Sequence, residues 1–249
     1  MKTNNPIKFA HIAPTEHILH AAAHSQVHMA LQHLTIDSDD NDPTEYVKKF
    51  KVIAKDGGYI YLDNSQFEMG KPCDLVDLIN AGHRLEASCL ILPDGDMSEE
   101  SIKLVKANGF DVMVIPDGDN LDIQFILALD NPDIDKVGLS YSKTSAFLKR
   151  HRHSCTSRFD FLSGLGTILP NKKIHLLGGV LPGEVSLMRP YQDAIYSWDT
   201  SLAVWAGLNE INIKTMTHKN SESVDFNSEI QWNMICDLNI SYINTLLNS

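Results

Sequence analysis

The sequence predicts a single (β/α)8 TIM-type barrel with a C-terminal helical extension, and three observations predict it. Eight short apolar runs alternate with stretches of helical patterning or turn chemistry, and strand, helix, strand repeated this often marks parallel α/β architecture. The chain has 249 residues, a common length for an unsplit barrel. No internal repeat, low-complexity tract or Gly/Ser linker marks a domain boundary. Eight units favour a closed barrel over an open sheet, because closure leaves no edge strand. The reading is one domain over 1–249, with the barrel over about 9–205 and helices over about 211–249.

The strands are expected at 9–13, 27–34, 59–63, 87–92, 111–115, 136–140, 173–178 and 194–199. A helix over 44–54 follows Asp42-Pro43 and places Tyr46, Val47, Phe50 and Ile53 on one face. A short helix is expected over 74–80. Ser98 with Glu99-Glu100 is a capping signal for a helix through 102–107, and Asn108-Gly109 stops it. Helices over 121–129 and 142–150 follow, the first ending at Asn131-Pro132. The tail offers two more, 230–238 and 241–247.

A hydrophobic fraction of 43% suffices for a full core. The net charge of −11, from 21 basic and 32 acidic residues, excludes a protein that coats nucleic acid non-specifically. It leaves room for a local basic patch, and Lys149-Arg150-His151-Arg152-His153 with Arg158 is the one cluster available, either as a solvated helix end or as a phosphate contact. No apolar stretch approaches the ~18 residues of a membrane span, and residues 1–6 lack the apolar core of a signal peptide. Cys73, Cys89, Cys155 and Cys236 are scattered without a CxxC pair, and Cys89 lies in an apolar run as a reduced thiol would. A cytoplasmic protein is expected.

Three aspartates carry the functional signal. Asp63 closes Tyr-Ile-Tyr-Leu, Asp94 closes Cys-Leu-Ile-Leu-Pro, and Asp199 closes Ala-Ile-Tyr-Ser-Trp. An acid at the C-terminal end of a buried strand points to the face where α/β proteins place their chemistry. Any one of them could be a helix cap, but three on distant strands suggest a carboxylate-lined pocket. Pro-Asp-Gly-Asp recurs at 93–96 and 116–119, where simple turn chemistry also accounts for Asp96 and Asp119.

In order and spacing these motifs resemble the tRNA-guanine transglycosylase superfamily, and more closely the phage and bacterial DNA-guanine transglycosylases that insert 7-deazaguanines into DNA. Asp63-Asn64-Ser65-Gln66-Phe67-Glu68 stands where the family has Asp-Ser-Gly-Gly-aromatic-Gln, so the resemblance implies that Asp63 is the acid/base and that Phe67 stacks on the base. It implies that Asp94 hydrogen-bonds the guanine edge. Pro116-Asp117-Gly118 replaces a base-reading Gln-Gly, which aligns Asp117 with recognition. Val137-Gly138-Leu139-Ser140 resembles a Gly-Gly-Leu facing the base, without the following Gly-Glu, and His175-Leu176-Leu177-Gly178 resembles a Leu-Met-Gly. Gly138, Leu139, Leu177 and Gly178 are thereby implied in substrate binding, and Asp199 is implied as the nucleophile. The Cys-x-Cys-x-x-Cys zinc element of the tRNA enzymes is missing, and the chain is shorter than they are, which favours DNA. His151, His153, Cys155 and His175 are metal-ligand types without a zinc spacing.

The chemistry fits those residue types. Breaking a glycosidic bond passes through an oxocarbenium-like state that a carboxylate stabilises and then traps. The leaving base needs a proton and the incoming base must lose one, and one carboxyl group can do both. The base must be flipped out or single-stranded. The expected partners are guanine-containing DNA and a 7-deazaguanine such as preQ0, with no cofactor, no metal and no membrane, and a homodimer is left open. Lys149, Arg150, Arg152 and Arg158 are the expected DNA contacts. A non-catalytic subunit of the same fold, action on tRNA, and a metal hydrolase drawing on 11 histidines are the alternatives.

Overall fold

The computed structural model describes residues 7–37, 42–150, 156–166, 169–171, 173–179, 182–216 and 225–246. Along the chain run β1 (Lys8–His11), α1 (Ile18–Ala22), β2 (His28–Leu31), α2 (Glu45–Lys55), β3 (Ile60–Asp63), α3 (Gln66–Met69), α4 (Leu75–Leu85), β4 (Cys89–Ile91), α5 (Glu99–Ala107), β5 (Asp111–Val114), α6 (Leu121–Asp130), β6 (Lys136–Ser140), α7 (Tyr141–Phe147), α8 (Ser157–Gly164), β7 (Ile174–Leu177), α9 (Pro182–Leu187), β8 (Ile195–Thr200), α10 (Leu202–Leu208) and α11 (Met234–Leu246). The strands form an eight-stranded sheet in the order β1-β8-β7-β6-β5-β4-β3-β2, and the paired strands run parallel. This is the (β/α)8 TIM-type fold. Among the described residues no helix is long and apolar enough to cross a membrane.

The chain divides into two compact units, Gln26–Gly138 and the pair of segments Met1–Ser25 with Leu139–Ser249. In the first unit, β2 pairs with β3 so that Leu31 lies opposite Asp63. β4 pairs with β3 and β5 through fully buried Cys89, Leu90 and Ile91. Three helix starts carry side-chain caps, which satisfy a free N-terminal N–H: Thr44 accepts from Val47, Asp74 from Val76 and Ser98 from Ser101. The helix read at 74–80 continues to Leu85. Gly82 does not stop it, because a Cβ there would come within 2.9 Å of Leu90 Cδ2 and 3.0 Å of Phe110 Cζ, so glycine lets α4 lie close against β4. The second strand is shorter than the apolar run suggests. A 3-10 turn over Gln32–Thr35 replaces its end, held by Thr35 Oγ1 donating to the Gln32 carbonyl at 2.7 Å.

In the second unit β1 pairs with β8, placing Ala10 opposite Asp199, and β7 pairs with β8, placing His175 opposite Ser197. Ser140 caps α7, which ends at Phe147 rather than 150, with Lys149 in the left-handed region at φ 52°. The tail forms one helix, α11, instead of two. It packs on α10 where Gly207 meets Cys236, and Asn239 ties α11 to the chain just after α10 by donating to the Ile211 carbonyl at 2.8 Å and accepting from Ile213 N–H at 3.1 Å. At Gly207 an added Cβ would lie 2.5 Å from Cys236 Cα. That atom belongs to the backbone and cannot swing aside. Gly207→Ala should therefore destabilise the protein by about 1–3 kcal/mol, seen in urea unfolding as a lower midpoint with an unchanged slope.

His11, at the end of β1, is buried and lies 3.0 Å through Nε2 from Asn244 Oδ1 on α11. Asn244 donates its own amide to the His24 carbonyl, so its oxygen faces His11, whose Nε2 is the N–H. Burial lowers the His11 pKa from its ordinary 6.5 to about 4, with the Asn244 bond opposing and His24 adding to the drop. Burial likewise lowers His28 to about 4. Because the folded values lie below the unfolded one, the unfolded chain takes up protons first on acidification. The stabilisation is complete above pH 6.5 and is lost as pH falls toward about 4. Thermal midpoints should decline across that window, and His11→Asn should flatten the decline.

Candidate active site

Alternation along β8 places Ser197 and Asp199 on the same face, and His175 of β7 lies beside them. His175 Nδ1 is 2.7 Å from Ser197 Oγ, and His175 Nε2 is 3.0 Å from Asp199 Oδ1. The Gly178 N–H is shared between Asp199 Oδ1 at 3.1 Å and Oδ2 at 3.2 Å. His175 and Ser197 are fully buried, and Asp199 is 6% exposed. A carboxylate only accepts, so Nε2 carries a proton toward Asp199, and in the neutral ring Nδ1 receives the Ser197 hydroxyl. Among the described residues Oδ2 has only the shared Gly178 N–H, which leaves it a lone pair for a reacting atom.

The helix-cap reading fails for Asp199. Thr200 Oγ1 accepts from Leu202 N–H at 3.0 Å at the start of α10, and the Asp199 carboxylate makes no such bond. At the end of β3, Asn64 Oδ1 accepts from Gln66 N–H at 2.9 Å. Asn64 further donates to the Leu92 carbonyl at 3.0 Å, and Gln66 Oε1 accepts from Asp94 N–H at 3.0 Å. The end of β3 is thus stitched to the segment after β4, within the unit that also holds Asp63, Asp94 and Asp117. Ser65 adopts φ 60° there with its hydroxyl accepting from His33 N–H at 3.2 Å. Asp63 makes its charge felt on two neighbours. Burial raises the Tyr46 hydroxyl, with Glu68 and Asp63 adding to the rise. Burial also pushes the Cys73 thiol up to about 12, with Asp63, Asp77 and Asp74 adding. Phe67 is 71% exposed on α3. Asp117 accepts from Gly118 N–H, and its own N–H reaches Gln124, a local turn arrangement. Asp96 is structural as well. Burial alone would raise its carboxyl, but bonds from Ser101 and Ser98 outweigh it and hold the pKa down.

Gly138 and Leu139 are buried within β6. The carbonyls of Leu177 and Gly178 each accept from Arg158, at 3.1 Å. Arg158 needs correction as a DNA contact. It is fully buried, with Nε donating to Glu184 Oε1 at 2.8 Å, and no phosphate can reach it. Lys149 and Arg150 are exposed, yet Arg150 is engaged with Asp160 and Thr156, which offsets its charge. Arg152, His151, His153 and Cys155 lie outside the described residues. The ring of His175 is committed to Ser197 and Asp199, and among the described residues no group of three or more His, Cys, Asp or Glu side chains is placed to hold a metal ion. Cys73, Cys89 and Cys236 are free thiols.

No protein-family model matches the chain, and no curated protein does. Solved structures do. The chain is 12% identical to phosphoribosyl anthranilate isomerase from Thermococcus kodakaraensis, covering 98% of this chain and 99% of that one at a TM-score of 0.56. It is 8% identical to tryptophan synthase from M. tuberculosis, covering 99% and 94% at a TM-score of 0.56. It is 10% identical to an HpcH/HpaI aldolase from Desulfitobacterium hafniense, covering 86% and 93% at a TM-score of 0.51. These likenesses establish the TIM-type fold and nothing finer. They also correct the family reading: the similar structures are an isomerase, a synthase and an aldolase, not transglycosylases. Short motifs at strand ends resembled that superfamily because the fold itself puts acids and turn residues there.

Proposed function

We propose that the protein is an enzyme that breaks the bond between a sugar C1′ and a nucleobase, with Asp199 as nucleophile, and that it exchanges guanine in DNA for a 7-deazaguanine such as preQ0. The observation that carries this reading is the Asp199 carboxylate. It caps no helix, is oriented by His175 and Gly178, and keeps a lone pair on Oδ2. In the reaction a bond forms from Oδ2 to C1′ while the C1′–N9 bond breaks, its electron pair leaving with the guanine, which takes up a proton. The incoming base loses a proton as its nitrogen displaces Asp199. Residue type makes Asp63 the candidate for that proton, Asp94 for the edge of the base and Phe67 for its face. The bond-breaking step rests on the chemistry of the Asp199 carboxylate, the choice of guanine, DNA and a 7-deazaguanine rests on what the strand-end motifs implied, and such an enzyme would meet its DNA in the cytoplasm.

A second reading has an observation of its own. Ser197, His175 and Asp199 form a chain of hydrogen bonds, which would equally suit Asp199 as a general base in a proton-transfer reaction. Guanine-containing DNA incubated with preQ0, analysed by nucleoside mass spectrometry and by denaturing gel, separates the two. We expect base exchange and a trapped protein–DNA adduct in the wild type. Asp199→Asn keeps an acceptor oxygen for both N–H donors, so its melting temperature should hold while exchange falls at least about a thousandfold and the adduct disappears. Exchange by the variant at near wild-type rate, or a wild type inert on DNA, would refute the proposal.

A further inference from the structure

Arg158 is a charged side chain with no access to solvent, and three of its hydrogen bonds converge on one corner of the chain. Its guanidinium donates to the Leu177 carbonyl at 3.1 Å, the Gly178 carbonyl at 3.1 Å and the Gly179 carbonyl at 2.6 Å. Nε is paired with buried Glu184 at 2.8 Å. Its centre lies 5.2 Å from the Tyr141 ring centroid and 4.7 Å from that of Trp198, a cation stacked on aromatic faces. Trp198 adds a fourth bond, Nε1 donating to the Gly178 carbonyl at 3.2 Å.

Three consecutive carbonyls can face one cation only if the chain turns sharply. Gly178 and Gly179 supply the turn with φ of 64° and 53°, a region that costs other residues about 1–2 kcal/mol each. Gly179 has a second reason to be glycine, since a Cβ there would sit 3.0 Å from Tyr141 Cγ. With its carbonyl drawn to Arg158 and Trp198, the Gly178 residue directs its N–H to Asp199. A buried ion pair is seldom worth more than a well-packed apolar pair in stability, so stability is a weak reason for this one.

We propose that Arg158, held by Glu184, is a positioning residue for Asp199: it fixes the 177–179 corner so that the Gly178 N–H orients the carboxylate. The catalytic consequence rests on the nucleophilic role assigned to Asp199 above, whereas the geometric one does not. Arg158→Met alone strands the Glu184 carboxylate in the interior and should destabilise the fold, so the informative variant is the double substitution Arg158→Met with Glu184→Met, which removes both charges. The probe is the Gly178 amide in 15N-labelled protein, read by its proton shift and hydrogen exchange, beside kcat and KM for preQ0 exchange into guanine-containing DNA. In the folded double variant the Gly178 amide should shift upfield, as in Asp199→Asn, and exchange faster. kcat should fall about 100-fold, the cost of small misplacement, with little change in KM. Arg158→Lys, which can reach one or two of the carbonyls, should recover part of both signals. A folded double variant with the Gly178 amide at its wild-type position overturns the positioning role even if the wild type exchanges bases. A shifted amide beside an inert wild type upholds positioning and removes the glycosyl-transfer reading.

Discussion

The candidate site depends on one backbone corner serving two masters. At residues 177–179 the carbonyls are gathered by Arg158 and Trp198, and the Gly178 N–H is given to Asp199. Backbone groups that leave the sheet at a strand end must find partners, and here the partners are a buried cation and a carboxylate. Remove the cation and three carbonyls lose a charge-assisted donor; remove the carboxylate and a glycine N–H is stranded. The corner is therefore better determined than a loop of two glycines would be, and it transmits that order to Asp199. His175 completes the hold from the neighbouring strand.

The acids at the strand ends differ in how they are used. Asp96 and Asp117 are spent on local backbone N–H groups, as turn residues are. Asp63 and Asp94 lie in a segment that the amide side chains of Asn64 and Gln66 help to stitch together. Asp199 is anchored by groups from a different strand and makes no cap. That division separates scaffold acids from candidates for chemistry more sharply than strand position alone does, and it is independent of the fold likenesses, which at 8–12% identity describe architecture.

Much of the architecture was legible because its signals are local. Apolar runs marked the strands, and Thr44, Asp74 and Ser98 announced helix starts through their own side chains. The misreadings share a cause in tertiary contact. The helix read at 74–80 runs on to Leu85, with Gly82 packed against Leu90 and Phe110, and the tail looks like two helices until α10 supports one. Arg158 was the largest error of site. In sequence it closes a basic cluster and reads as surface, while its burial depends on Glu184, 26 residues later, and on Trp198 in β8. The Ser197-x-Asp199 spacing on a strand is the signal that places Ser197 on the face of Asp199, and the strand-end acids alone did not bring it forward. His175, weighed only as a metal ligand, needed the β7–β8 register to be placed between them.

Asp199 is held by the N–H groups of His175 and Gly178. Nitrogen-15 spectroscopy of histidine-labelled protein tests it most directly, because the two ring nitrogens of His175 report the tautomer. The proton is expected on Nε2, directed at Asp199, with Nδ1 bare and accepting from Ser197. The Nε2 signal is also expected to move in Asp199→Asn and the Nδ1 signal to move in Ser197→Ala. A His175 ring protonated on Nδ1, with Nε2 bare toward Asp199, would contradict that hold on Asp199.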